Sequence, residues 1–502
     1  MLAHLLKVYA LFMACGLKGT MSSSNPPVVG ASYRSIAGGL SSYRDDVEVF
    51  KGIPYAETAI GSLRWAGPQT ARAWCTTSGS EDCLYFNIWL PKNTTADNRL
   101  PVYLWIFGGG FNCGSSSNVI FNYRLGPLGF LAHPELSAES LHNGSRNCGI
   151  MDMVAALDWV HSEVAAFGGD PGRITVGRES ARSAGSLDMM WSPLAKGNAA
   201  GIISESGALG PRDPLTVTAA TSYRTRVAAE SFGLNFANQR NVSSITEMRE
   251  LPVSVLMAED NISDTILDKS ICANVSGFGN PPEWRPVLDG YILPMSYEKA
   301  LLSNSHWDIP VLTRNNKDED AASKNPSLTL AEFKIQFKLM LDSLSEEFSN
   351  LYPADNDTMA GEVANTLWHD MTRVGMWQWA MYWQEGRARN SVFTYFWTHA
   401  PPNQTSGAYH GSELYYVFNN IPYTEPPKTW TANEHRIGDT TVSYWMNFIK
   451  TGNPNGHSLE RWSANSDRKQ IMVLGDSCAE GAISGGARVD FLERFFKAQK
   501  PW

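Results

Sequence analysis

The sequence predicts an α/β fold built on a doubly wound, mostly parallel sheet. Short β-branched runs alternate with helix-patterned stretches along the 502 residues, and several of the strand runs are apolar rather than alternating. No fixed-period repeat, heptad run or low-complexity tract interrupts them. A hydrophobic content of 43% with 18% charged residues supplies ample core, and the net charge of −9 argues against nucleic acid or anionic membranes as partners.

Taken in order, Val47–Phe50, Tyr85–Leu90, Val102–Phe107 and Val119–Tyr123 are strand candidates, rich in β-branched and aromatic residues. Asp152–Phe167 then sets Val154, Leu157, Val160 and Val164 on one helical face and stops at Gly168-Gly169. Ile174–Val176 and Gly201–Ser204 are further strands. The interval from about 210 to 300 reads as a helical insertion and precedes strand Val311–Thr313. A second insertion, from 325 to 385, ends in the helix Met376–Glu385. Strand Val392–Trp397, helix Thr440–Lys450 and strand Ile471–Leu474 complete the pattern. No linker splits it, so residues 28–502 read as a single domain.

Before that domain, the apolar stretch Val8–Gly16 lies between Lys7 and Lys18. It is too short to span a bilayer and has the size of a signal-peptide core, so residues 1–19 are expected to be a cleaved leader. No later segment reaches membrane-spanning length. Asn-x-Ser/Thr sites occur at Asn93, Asn143, Asn241, Asn261, Asn274, Asn356 and Asn403, which with the leader favours a secreted glycoprotein. Cys75 and Cys83 are close enough to close a small loop in an oxidising compartment, and the remaining cysteines show no metal-ligand spacing.

The most telling segment is Arg178-Glu179-Ser180-Ala181-Arg182. It follows the strand Ile174–Val176 and opens the helix-like run Ser186–Met190, the strand–turn–helix setting of a nucleophilic serine. The usual pattern is Gly-x-Ser-x-Gly, because side chains at the outer positions crowd the neighbouring strand and helix. Upstream, Phe107-Gly108-Gly109-Gly110-Phe111 follows a strand, and its glycines let backbone N–H groups face a ligand. With Ser180 it makes an oxyanion-hole candidate, in which Gly109, Gly110 and Ala181 supply the donors. If the order is serine, then acid, then histidine, the acid comes from Asn315-Asn316-Lys317-Asp318-Glu319 and the base from Ala408-Tyr409-His410-Gly411.

Further motifs occur in order along the chain. They are Phe50-Lys51-Gly52-Ile53-Pro54-Tyr55-Ala56-Glu57, Glu81-Asp82-Cys83-Leu84-Tyr85-Phe86-Asn87 and Asn122-Tyr123-Arg124-Leu125-Gly126. Ala166-Phe167-Gly168-Gly169-Asp170-Pro171, Ser204-Glu205-Ser206-Gly207, His410-Gly411-Ser412-Glu413 and Thr451-Gly452-Asn453-Pro454 follow. On these motifs, from about Val28 to the C-terminus, the chain resembles the type-B carboxylesterase/lipase family, which includes the cholinesterases, and most closely its secreted fungal and bacterial carboxylesterases. The resemblance implies an α/β-hydrolase fold and hydrolysis of a small-molecule carboxylic ester. Carried over by position, it implies Ser180 as nucleophile, His410 as base and then acid, and Glu319 as orienter of the imidazole. Gly109, Gly110 and Ala181 would form the oxyanion hole, Cys75 and Cys83 a disulfide, and no metal or organic cofactor is needed.

The chain also departs from the family pattern. Arg146, Arg178, Arg182 and Arg314 stand where the motifs usually have glycine. Arginines on both sides of Ser180 are expected to crowd the turn, displace Oγ and impair hydrolysis, which leaves a catalytically inactive, esterase-fold binding protein as the alternative. Gly108–Asn118 is shorter than a usual parallel crossover, and the segment between Trp74 and Glu81 lacks the long loop that bears the choline contact of cholinesterases. The second shortening removes any case for choline-ester specificity.

Overall fold

The computed structural model describes residues 26–32, 34–71, 81–108, 111, 121–142, 144, 147–180, 184–218, 222–258, 262–275, 278–319, 328–423 and 428–501. Among them a three-stranded antiparallel sheet comprises β1 (Gly39–Leu40), β2 (Val47–Pro54) and β3 (Tyr85–Pro91). A seven-stranded sheet comprises β4 (Leu100–Ile106), β5 (Gly169–Glu179), β6 (Gly201–Glu205), β7 (Val311–Asn316), β8 (Val392–Trp397), β9 (Gln470–Leu474) and β10 (Ala479–Ala482). Strands β4 to β9 lie side by side in chain order and parallel, with β10 antiparallel at the edge. Phe121 joins the two sheets by bridging antiparallel to Phe86 of β3 and parallel to Ile106 of β4. The expected parallel pairing of the Val102–Phe107 and Val119–Tyr123 runs is therefore present at Phe121.

Parallel neighbours require crossovers, and helices supply them. The principal ones are α1 (Cys148–Glu163), α2 (Ala184–Trp191), α3 (Asp357–Glu385) and α4 (Ala432–Thr451), and a further helix, α5 (Gly486–Ala498), follows the last strand. Strands β6, β7 and β8 are buried at every position, which explains their apolar starts, while β6 and β7 end in buried polar residues that face the site. One apolar core surrounds the sheet, and a second fills the space among Leu330–Leu341, α3 and α5.

Several expected elements differ in extent. Ile174–Val176 is the middle of an 11-residue strand. Met376–Glu385 is the tryptophan-rich end of a 29-residue helix, whose start is set by the Asn356 side chain accepting from the Met359 amide at 3.0 Å. The 210–300 insertion contains helices such as Arg226–Gln239, together with a two-residue parallel pairing of Arg224–Thr225 with Val287–Leu288. Strand β10 and helix α5 were not anticipated; Ala479–Ala482 lacks β-formers and is held by its ladder to β9.

A buried ion pair fastens the chain after Phe121 to α1. Arg124 Nη2 and Nε reach the two carboxylate oxygens of Asp152 at 2.6 and 2.7 Å, and the Arg124 amide donates to the same carboxylate at 3.0 Å. Both side chains are almost fully buried. Asp152→Ala would leave the guanidinium buried without its carboxylate and is expected to cost about 3–5 kcal/mol, read as a lower urea midpoint.

Candidate active site

Ser180 comes directly after β5 and has a φ of +95°, a region that residues with a side chain rarely adopt. The turn is held by its amide, which donates to the Glu205 carbonyl on β6 at 2.9 Å. The strained turn lifts Oγ off the carboxyl edge of the sheet and sets it 2.7 Å from His410 Nε2. His410 arrives on the long loop that follows β8, and its Nδ1 meets Glu319 Oε2, just beyond the end of β7. Ser180, His410 and Glu319 therefore form a continuous hydrogen-bonded chain.

The two loops carrying the histidine and the acid are clasped together. The Asp318 amide donates to Ala408 O at 3.1 Å, and the Ala408 amide donates to Asp318 Oδ2 at 2.7 Å. Gly407 makes this possible: its φ is +69°, and a Cβ there would lie 2.1 Å from Asp318 Oδ2. Asn316 adds a second tie, donating from Nδ2 to Tyr409 O and to Glu413 Oε2, each at 2.7 Å.

Glu319 is fixed from its other side as well. Its Oε1 accepts from the Asn316 amide at 2.9 Å and from the Ser206 hydroxyl. Ser206 Oγ in turn accepts from Arg314 Nη1 at 2.9 Å. Burial alone would raise the Glu319 carboxyl; the His410 and Arg314 charges and the hydrogen bonds from His410 and Ser206 outweigh it and hold the group at about 2. Burial alone would lower His410, but Glu319 and Glu179 overcome it and lift the imidazole to about 9. Glu179 matters here because its Oε1 lies 3.3 Å from His410 Nε2, and burial pushes its own carboxyl upward. In the sequence, Glu179 is only the second residue of the pentapeptide around Ser180. Its role follows from strand alternation, which turns residue 179 to the face opposite residue 178.

Of the sequence-derived site residues, the structure brings Ser180, Glu319 and His410 together. Gly109, Gly110 and Ala181 lie outside the described residues, as do Arg146 and Arg182. Cys75, the expected partner of Cys83, also lies outside them; Cys83 is half-buried and has no disulfide partner among the described residues, and burial chiefly pushes its thiol up to about 12. Gly108 backs the turn, since a Cβ there would lie 3.3 Å from Glu179 O and 3.5 Å from Ser180 Cβ.

Arg178, one of the two arginines expected to crowd the turn, is a core residue. Its guanidinium is fully buried, donates from Nη2 to Tyr123 Oη at 2.6 Å, and lies 4.9 and 5.3 Å from the ring centroids of Phe111 and Tyr123. Room for it comes from α2: a Cβ on Gly185 would lie 1.7 Å from Arg178 Nη1. Burial pushes Asp188 of α2 up to about 8, against a hydrogen bond from Tyr297 and the nearby Arg178 charge.

Among the described residues, no group of three or more His, Cys, Asp or Glu is placed to hold a metal ion. No helix among them is long and apolar enough to cross a membrane.

Residues 25–482 match the carboxylesterase family. The chain belongs to that family. Among its relatives, a fumonisin B1 esterase of Sphingopyxis macrogoltabida is 29% identical over 89% of this chain and 86% of the relative. The para-nitrobenzyl esterase of Bacillus subtilis (strain 168) is 27% identical over 85% of this chain and 91% of its own. A solved thermophilic PNB esterase superposes with a TM-score of 0.73 at 25% identity, over 93% of this chain and 100% of that one. Family and fold together place the chain among the serine carboxylesterases, with the α/β-hydrolase architecture.

The contact between positions 178 and 185 can be measured. Gly185→Ala is expected to force Arg178 off Tyr123 and destabilise the protein by about 1–3 kcal/mol. Paired with Arg178→Gly, the same substitution should cost less, giving a coupling of roughly 0.5–3 kcal/mol in a double-mutant cycle of denaturant unfolding.

Proposed function

We propose that this carboxylesterase hydrolyses small-molecule carboxylic esters by acyl transfer to Ser180. The observation that carries the reading is the chain Ser180 Oγ, His410 Nε2, His410 Nδ1, Glu319, with the serine strained outward at +95°. Glu319 takes the Nδ1 proton of a neutral imidazole in hydrogen bond, which leaves the Nε2 lone pair to receive the Ser180 proton as Oγ attacks the ester carbonyl. Backbone N–H groups of Gly109, Gly110 and Ala181 receive the developing oxyanion. Collapse breaks the bond to the alcohol, which leaves with the proton from His410. Water then attacks the acyl-serine and gives a proton to Nε2; as the bond from the acyl carbon to Oγ breaks, His410 returns that proton to Oγ, and the acid and Ser180 are released.

The placement of Arg178 away from the reacting atoms supports an active site over an inactive, binding-only relic. Labelling folded protein with a fluorophosphonate, alongside Ser180→Ala, tests this directly. An adduct mapped to Ser180 is expected; its absence from cooperatively folded protein would leave the binding reading.

The electrostatics give the reaction a pH dependence. His410 must be neutral to accept the Ser180 proton, and its pKa is lifted to about 9, so kcat/KM is expected to climb with pH through that region. Glu179→Gln removes one of the two carboxylates favouring the imidazolium. The climb should then move toward the ordinary histidine range, and an unmoved profile on a p-nitrophenyl ester would count against Glu179 as a determinant.

We also propose that the protein is exported and glycosylated. Asn93, Asn241, Asn274, Asn356 and Asn403, the five sequon asparagines among the described residues, are all exposed, as acceptors must be. A mass decrease on peptide-N-glycosidase treatment of protein from a secreting eukaryotic host is the expected outcome.

A further inference from the structure

Arg314, a β7 residue among the largest fully buried side chains, lies within the acid side of the proposed site. Its strand neighbours are Glu205 on β6 and Tyr395 on β8. Its Nη2 touches Glu413 Oε1 and lies 3.9 Å from Glu205 Oε2, while Nη1 is 3.6 Å from Glu319 Oε1. One cation thus sits among three carboxylates that come from three different loops or strands, with Glu179 also within its electrostatic reach. A buried charge so surrounded could serve stability alone. The hydrogen-bond directions assign it more.

Guanidinium has donors and no acceptor, so the 2.9 Å contact from Nη1 to Ser206 Oγ has one direction. Ser206 owns a single hydroxyl proton. With one lone pair occupied by Arg314, that proton is free to go to Glu319 Oε1, which lies within hydrogen-bond reach. The Ser206 backbone is itself fastened to Arg314: at a φ of +60°, its amide donates to Arg314 O at 2.8 Å. Glu319 Oε1 is then filled by Ser206 and the Asn316 amide, and Oε2 alone is left to face His410.

We infer that Arg314 is a positioning residue of the hydrolytic site, which orients Glu319 toward His410 by fixing the direction of the Ser206 hydroxyl proton. The inference rests on the Ser180–His410–Glu319 reading. Arg314 also acts through its charge: it supports the ionised form of Glu319 and opposes protonation of His410, against Glu319 and Glu179, which favour it. Glu205, by contrast, is pushed up to about 8 by burial despite Arg314, and Trp445 Nε1 donates to it at 3.0 Å.

The test compares Arg314→Met, Arg314→Lys and Ser206→Ala with the wild type on a p-nitrophenyl ester from pH 6 to 10, with cooperative unfolding checked for each. Arg314→Met is expected to lose about tenfold or more in kcat with KM nearly unchanged. Its pH–rate rise should move to higher pH, because the cation that opposes His410 protonation is gone. Arg314→Lys keeps the charge without the planar fork, so its rise should stay near that of wild type while kcat remains low. Ser206→Ala should lose about tenfold in kcat. A parallel loss of rate at every pH in Arg314→Met, or a rise shifted downward, would mean a merely structural arginine and overturn the inference. So would wild-type kcat in Ser206→Ala, which decides the matter if Arg314→Met does not fold. Fluorophosphonate labelling of the wild type separates the two readings: no Ser180 adduct removes the triad itself, whereas an adduct with unaffected variants removes only Arg314.

Discussion

A parallel sheet covered by helices on both faces leaves the carboxyl ends of its strands as the place where polar side chains can meet a ligand. That constraint organises this molecule. Strand β5 ends at Ser180, β7 leads into Glu319, and the loop after β8 returns with His410. Because these groups are largely withdrawn from water, each charge must be answered by another charge or a hydrogen bond. Glu319 is held toward its ionised form because three donors and two cations outweigh its burial. Glu205, one strand away, has fewer and is pushed toward its neutral form.

Much of this was legible in the sequence. The buried strands open on apolar residues, and the serine, acid and histidine stood after strand runs in the order serine, acid, histidine. What stayed hidden was hidden for physical reasons. Strand β10 has no β-propensity of its own and exists because β9 offers it a ladder. Most of α3 lies outside the Met376–Glu385 run, where the tryptophans make its periodicity plain. Strand alternation sets Glu179 opposite Arg178, but nothing in the sequence shows that the loop after β8 returns His410 to that face.

The arginines at glycine positions show how context overrides a motif. At 178, crowding is a statement about neighbours, and the neighbours here leave room: Gly185 leaves a gap on α2, while Phe111, Tyr123 and Met153 line the place the guanidinium occupies. At 314 the arginine meets a ready set of carboxylates. In both places the side chain finds buried partners that the motif alone does not reveal.

The clasp between Asp318 and Ala408, closed over Gly407, has a consequence for how such a site can vary. It makes residues 315–319 and 407–413 one unit of inheritance in physical terms, though some ninety residues apart in the chain. A graft that exchanged either segment alone would carry half a clasp into foreign geometry. Recombination among relatives would preserve the imidazole–carboxylate spacing only where both halves travel together.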